Sequence, residues 1–128
     1  MKVHIPYGGA LYKEECESSY KRAREIFKRC YPEITFKNFV VTCWMLSPEL
    51  CDILKPESNI ISFRNKYNIY PVKSTALDAL MYVYNFRGNS PDELDFEKLP
   101  EDNTLRRGVK QKMLEGKFVH EFGGFFPW

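Results

Sequence analysis

The sequence predicts a single α/β domain, a mixed β-sheet with helices packed on it. Three observations carry that prediction. Residues 39–46, FVVTCWML, form an apolar run broken only by Thr42. It is too short for a buried helix and rich in β-formers, so it reads as a central strand covered on both faces. Residues 12–31 place Cys16, Tyr20, Ala23, Phe27 and Cys30 at alternating steps of four and three, which is one face of a helix. Ile61, Phe63, Tyr67 and Ile69 alternate with Ser62, Arg64, Lys66 and Asn68, the period of a strand with one wet face, or of two strands bent near Asn65. A chain of 128 residues, 44% hydrophobic, is the size of one domain with a real core.

The elements follow in order. Val3-His4-Ile5 is a short strand candidate, broken by the stretch PYGGA. The helix over residues 12–31 carries Glu14 and Glu17 early and Lys28 and Arg29 late, matching the helix dipole, and Pro32 stops it. The basic cluster KRAREIFKR reads as the solvated side of that helix. After the run at 39–46, Ser47 is a suitable N-cap, Pro48 suits the first helical position and Glu49 the positive helix end, so a short helix ending before Pro56 is expected. Pro71 ends the alternating segment. Ser74 or Thr75 can cap a helix holding Leu77, Leu80, Met81 and Tyr84. Residues 92–102 are acidic and flanked by proline, a surface loop. Asn103 or Thr104 begins another helix through Leu105, Val109 and Met113, with Gly116 at the usual position just past its last turn. Residues 118–122 are a final strand, closed by Gly123-Gly124. Strand–helix–strand alternation implies at least one parallel crossover.

Charge and cysteine usage exclude several function classes. Nineteen basic residues against 17 acidic ones give a net charge of +2, which argues against a nucleic-acid-binding face. No apolar run approaches the roughly 20 residues of a membrane span, and the opening MKVHIPYGG has no signal-peptide core. Cys16, Cys30, Cys43 and Cys51 form no CxxC pair, and only His4 and His120 accompany them, so no metal site is expected. Cys16 and Cys30 would lie about 21 Å apart along one helix, too far to bridge. Buried free thiols in a cytoplasmic protein are the expectation.

The best candidate for chemistry is the first strand-to-helix turn: Tyr7, Gly8, Gly9, Ala10 and Leu11. Two glycines let the backbone approach a ligand, and the free amides at the start of the next helix suit a phosphate. A plain turn satisfies the same residues. His4 and His120 are either structural strand histidines or acid–base groups, and Tyr67 and Tyr70 either pack or donate a proton. Cys43 has no nearby positive group to activate it and reads as an inert thiol beside Trp44. The segment Phe125-Phe126-Pro127-Trp128 either folds back on the core or forms a partner-binding patch.

Taken together, HIPYGGAL, FVVTCWMLSPEL, SNIISF and LPEDNTLRR, in that order and spacing, resemble the C-terminal domain of a bacterial GNAT-like acyltransferase family, over nearly the whole chain. The resemblance implies that residues 1–128 are one such domain and that a helical N-terminal domain is missing from the chain. It implies an acetyl-CoA or other acyl-CoA donor, with Tyr7, Gly8, Gly9, Ala10 and Leu11 around the pyrophosphate and residues 39–44, including Cys43 and Trp44, as the far wall. His4, Tyr67 and His120 are the candidates for proton transfer to or from an amine acceptor. GNAT enzymes usually carry an Arg or Gln ahead of spaced glycines at this turn; here the glycines are adjacent and no such residue leads them. The expected function is therefore the acyl-CoA-binding part of an N-acyltransferase, paired with a helical N-terminal domain or a second copy. The alternative is a non-catalytic interaction domain using its aromatic surface.

Overall fold

A computed structural model of the chain describes residues 1–6 and 8–128. Its centre is a three-stranded sheet in the order β1-β3-β2, built from β1 (Asn38–Cys43), β2 (Asn68–Pro71) and β3 (Phe122–Pro127). Both ladders are antiparallel: Val41 faces Gly124 across the first, and Ile69 faces Gly124 across the second. A parallel bridge, Lys2 to Val40, extends the outer edge of β1. The Val3 amide donates to the Val40 carbonyl (2.7 Å), and the Val40 amide donates to Met1 (2.8 Å). The three-stranded sheet is thus antiparallel in both ladders, and the parallel pairing expected of a mixed sheet is present as this bridge, to which the strand expected at Val3-His4-Ile5 is reduced.

The central strand is not the one the apolar run suggests. β1 stops at Cys43, and its burial alternates: Phe39, Val41 and Cys43 face the core, whereas Val40 is 36% exposed. Trp44–Leu46 then winds into a buried 3-10 turn. The run is continuous because a half-covered strand is joined to a fully buried turn. The middle place belongs to β3, which begins where the final strand was expected to end and takes Gly123 and Gly124 into its interior. Glycine fits there because both faces are full. A Cβ on Gly123 would lie 2.3 Å from the Tyr70 ring, and one on Gly124 would lie 2.6 Å from Leu46 Cδ1.

The 18-residue helix α1 (Lys13–Cys30) agrees with its heptad-like spacing and lays Tyr20 on the sheet. The Tyr20 ring sits 5.2 Å from Phe39 and 5.0 Å from Phe126. Ser47 does not cap the next helix: α2 (Leu50–Ile53) has Glu49 at its N-cap position, and the fully buried Ser47 hydroxyl has no partner among the described residues. The alternating segment at 61–69 is corrected more strongly. It is a helix, α3 (Asn59–Arg64), followed by β2. The Ser58 hydroxyl accepts from the Ile61 amide at 3.2 Å, and this local cap wins over a period-two pattern too short to hold a ladder. The helices α4 (Leu77–Tyr84) and α5 (Thr104–Leu114) stand where expected, but the N-cap position of α4 is taken by Ala76, at φ +64°, and not by Ser74 or Thr75. Asn103 caps α5 through the Arg106 amide (2.9 Å), and Gly116 takes φ +76° past its end. Residues 92–102 run as loop and two short 3-10 turns.

All four cysteines are free, but only Cys43 is buried; Cys30 and Cys51 are exposed and Cys16 is intermediate. The expectation of three buried thiols fails because Tyr20 is the buried residue of α1, which leaves Cys16 intermediate and Cys30, its last residue, exposed.

Candidate functional site

The first strand-to-helix connection crosses the end of β1 and leaves a crevice of about 510 Å³ beside it. One wall is the segment from Lys2 to Pro6 with Gly8, Gly9, Ala10 and Leu11; the other is Val41, Thr42, Cys43 and Trp44. The turn is shaped by its own backbone. Gly8 takes φ +79°, a left-handed conformation that glycine adopts without strain. The Gly9 amide donates back to the Pro6 carbonyl (3.3 Å), and Asn59 Nδ2 ties the Ala10 carbonyl to the start of α3 (2.9 Å). Leu11, also at positive φ (53°), then redirects the chain into α1. A smaller hollow of about 170 Å³ lies against the same segment, bounded on the helix side by Cys16 and Tyr20.

The crevice gathers seven of the residues singled out from the sequence: His4, Gly8, Gly9, Ala10, Leu11, Cys43 and Trp44. His4 is exposed and borders both hollows. Tyr7 lies outside the described residues. Tyr67 and His120 stand elsewhere. Tyr67 is buried in the aromatic core with its hydroxyl 3.0 Å from that of Tyr20. Burial, and then the Tyr20 hydrogen bond, hold its pKa well above the usual tyrosine range. His120 is exposed beside Phe118, with ring centroids 6.4 Å apart. Burial pushes the Cys43 thiol up to about 11, with Glu121 and Asp78 adding to the rise, so Cys43 acts as wall rather than nucleophile.

Sequence reasoning missed the third side of the crevice. Asp78 and Tyr82, one helical turn apart on α4, both line it. Tyr82 stacks on Trp44 with ring centroids 6.4 Å apart. Behind Asp78 lies Glu121, whose carboxyl adjoins the Asp78 carboxyl and the Ser74 hydroxyl. Burial first, and then the neighbouring Asp78 carboxyl, raise the Glu121 pKa above the ordinary carboxylate range. The Ser74 oxygen also accepts from the Glu121 amide (2.9 Å) and the Ala76 amide (3.2 Å), so it pins the start of α4 to the approach of β3. The only sequence signal was the four-residue spacing of Asp78 and Tyr82. Among the described residues no group of His, Cys, Asp and Glu side chains could hold a metal ion.

Comparison with known proteins gives this geometry its context. The profile of a family described as the GNAT-like C-terminal domain matches residues 1–126. The chain belongs to that family. No curated protein sequence matched this GNAT-like C-terminal domain. Among solved structures, an acyltransferase in complex with decanoyl-CoA matches at a TM-score of 0.82 and 27% identity, over 98% of this chain and 39% of that one. An acyltransferase in complex with decanoyl-CoA and teicoplanin matches at 0.84 and 26%, over 98% and 40%. A mutant acyltransferase in complex with octanoyl-CoA gives 0.84 and 26%, again over 98% and 40%. The GNAT-like domain thus spans about two-fifths of the length of these acyltransferases. Among the described residues no helix is long and apolar enough to cross a membrane.

Proposed function

We propose that this GNAT-like domain supplies the acyl-CoA-binding crevice of an N-acyltransferase. The observation that carries the reading is the crevice itself. It joins a glycine turn with a left-handed residue to the wall formed by Cys43 and Trp44, in a fold shared with acyltransferases crystallised with acyl-CoA. In this reading the backbone of Gly8, Gly9, Ala10 and Leu11 follows the pyrophosphate. The acyl-pantetheine runs along Cys43 and Trp44. Glu14 and Glu15 occupy the first turn of α1, so the anion is held at the side of the turn rather than on the helix axis.

The reaction is attack of a neutral amine on the thioester carbonyl. A C–N bond forms, the C–S bond breaks, the amine loses a proton and the coenzyme leaves as its thiol. His4, exposed at the lip of the crevice, is the residue placed to take that proton. Tyr67 and His120 are given no step, because neither lines the crevice. The remainder of the acceptor site would come from a partner: a helical N-terminal domain, which the family resemblance favours, or a second copy. Four unpaired cysteines fit a cytoplasmic setting for this domain.

The alternative of a non-catalytic interaction domain loses its main support. Phe126 is buried at the centre of the sheet, and Trp128 stacks on Phe39 at 4.6 Å, so two of the three aromatic residues of the segment pack on its own core and Phe125 alone of them stays exposed.

Isothermal titration of the chain with decanoyl-CoA tests the proposal. Saturable heat is expected, and Trp44→Ala weakens it. No heat at millimolar ligand overturns it.

A further inference from the structure

The crevice wall made by α4 has chemistry that acyl-CoA binding does not use. Two carboxyls, Asp78 and Glu121, lie close enough to interact, yet no lysine or arginine among the described residues forms an ion pair with either. Asp78 stands in the first turn of α4, where the helix dipole favours negative charge, and it faces the crevice. A half-buried acid without a counter-ion carries a desolvation cost that a cation would relieve. The other titratable side chains on the crevice are Lys2 and His4, both exposed and both on the opposite wall, the buried Cys43 thiol, and Tyr82 on α4 itself.

A second observation is independent of the acids. Trp44 lines the same crevice and is only 5% exposed, and its indole N–H has no hydrogen-bond partner among the described residues. Buried donors of this kind are nearly always paired in folded proteins, so this orphan, on a side chain that lines the crevice, marks an acceptor that the chain itself does not supply. Trp44 and Tyr82 also present stacked rings beside Asp78, a surface that attracts a cation through the ring quadrupole.

We propose that Asp78, backed by Glu121 and set beside the Trp44–Tyr82 ring pair, is the part of the crevice that takes a primary ammonium group. The inference rests on the acyl-transfer reading in one respect only, that this ammonium belongs to the acceptor. Asp78 then orients the incoming amine, and the Trp44 N–H takes an oxygen acceptor on the same molecule. Deprotonation for attack is left to His4.

The test is an NMR titration of the full chain, read at the indole N–H signals. The chain holds only two tryptophans, so Trp44→Phe assigns them. Benzylamine is the probe and benzyl alcohol its neutral counterpart, at matched ionic strength. Benzylamine should give a saturable shift of the Trp44 signal, and benzyl alcohol none. Asp78→Asn should weaken benzylamine at least about tenfold, and Glu121→Gln, which keeps a donor toward Asp78, by less. Equal responses to amine and alcohol, or an unchanged affinity in Asp78→Asn, overturn the proposal. If Asp78→Asn does not fold by thermal melting, the amine–alcohol contrast on the unaltered chain decides alone. Decanoyl-CoA is titrated into the same samples. Benzylamine binding without decanoyl-CoA binding keeps the ammonium site and removes the acyl-CoA reading, and the reverse result does the opposite.

Discussion

Replacing Gly124 with alanine probes the packing that holds the crevice wall in place. The new methyl would lie 2.6 Å from Leu46 Cδ1, 3.0 Å from Tyr67 Cβ and 3.2 Å from the Tyr67 ring. Leu46 is fully buried and cannot swing into solvent, and Tyr67 Cβ is fixed to the backbone just ahead of β2. Forcing a methyl into such a site costs about 1–3 kcal/mol. For a chain of this size that lowers the thermal midpoint by about 4–12 °C. Gly123→Ala is the control. Its methyl would meet the Tyr70 ring still closer, at 2.3 Å, but Tyr70 is 42% exposed and can rotate away. The expected cost there is below about 1 kcal/mol, a surface-like effect. Distance alone ranks the two substitutions one way, and freedom of the neighbour ranks them the other. Thermal melts followed by circular dichroism, with urea titrations for the free energies, decide between them. A Gly124→Ala midpoint within about 1 °C of the parent would show that Leu46 and Tyr67 do not close over β3, and the reasoning about the central strand would be wrong.

Three further outcomes are expected. Tyr67→Phe strands the buried Tyr20 hydroxyl that it meets at 3.0 Å, at a cost of about 1–3 kcal/mol, whereas Tyr20→Phe/Tyr67→Phe together should recover part of it in a urea double-mutant cycle. Glu121 has its folded-state pKa raised, so its protonated form favours folding. That contribution is present below the ordinary carboxylate range and is lost as pH rises through the raised value, so Glu121→Gln should match the parent at low pH and exceed its stability above that window, by urea titration across pH. In the native chain iodoacetamide should label exposed Cys30 and Cys51 first and Cys43 last, read by mass spectrometry, because burial holds the Cys43 thiol at about 11; early Cys43 labelling would contradict its place in the core.

Elements with a strong local signal were legible. The spacing of Cys16, Tyr20, Ala23 and Phe27 defined α1, and Asn103 with Gly116 framed α5. The two halves of the crevice were also legible, because the glycine turn and the Cys43–Trp44 stretch each stand out by residue type. What failed was decided by tertiary context. Ile61 and Phe63 fit both a strand and a single capped helical turn, and the Ser58 hydrogen bond that chooses between them has no period. Gly123-Gly124 reads as a turn until Leu46, Tyr67 and Tyr70 are seen to fill the space on both faces. Asp78 and Glu121 come together only because Ser74 fastens α4 to the approach of β3, a juxtaposition that no spacing encodes.

The strand latest in the chain sits in the middle of the sheet, and this constrains how the molecule can assemble. Neither β1 nor β2 has a ladder partner until residues 122–127 have been synthesised and have threaded between them. Closure therefore waits on contacts of very high sequence separation, which slows folding. In the interval two strand edges stand open to neighbouring chains. Nicking or frameshifting ahead of Phe122 would remove both ladders in one event, and with them the support of the Trp44 wall.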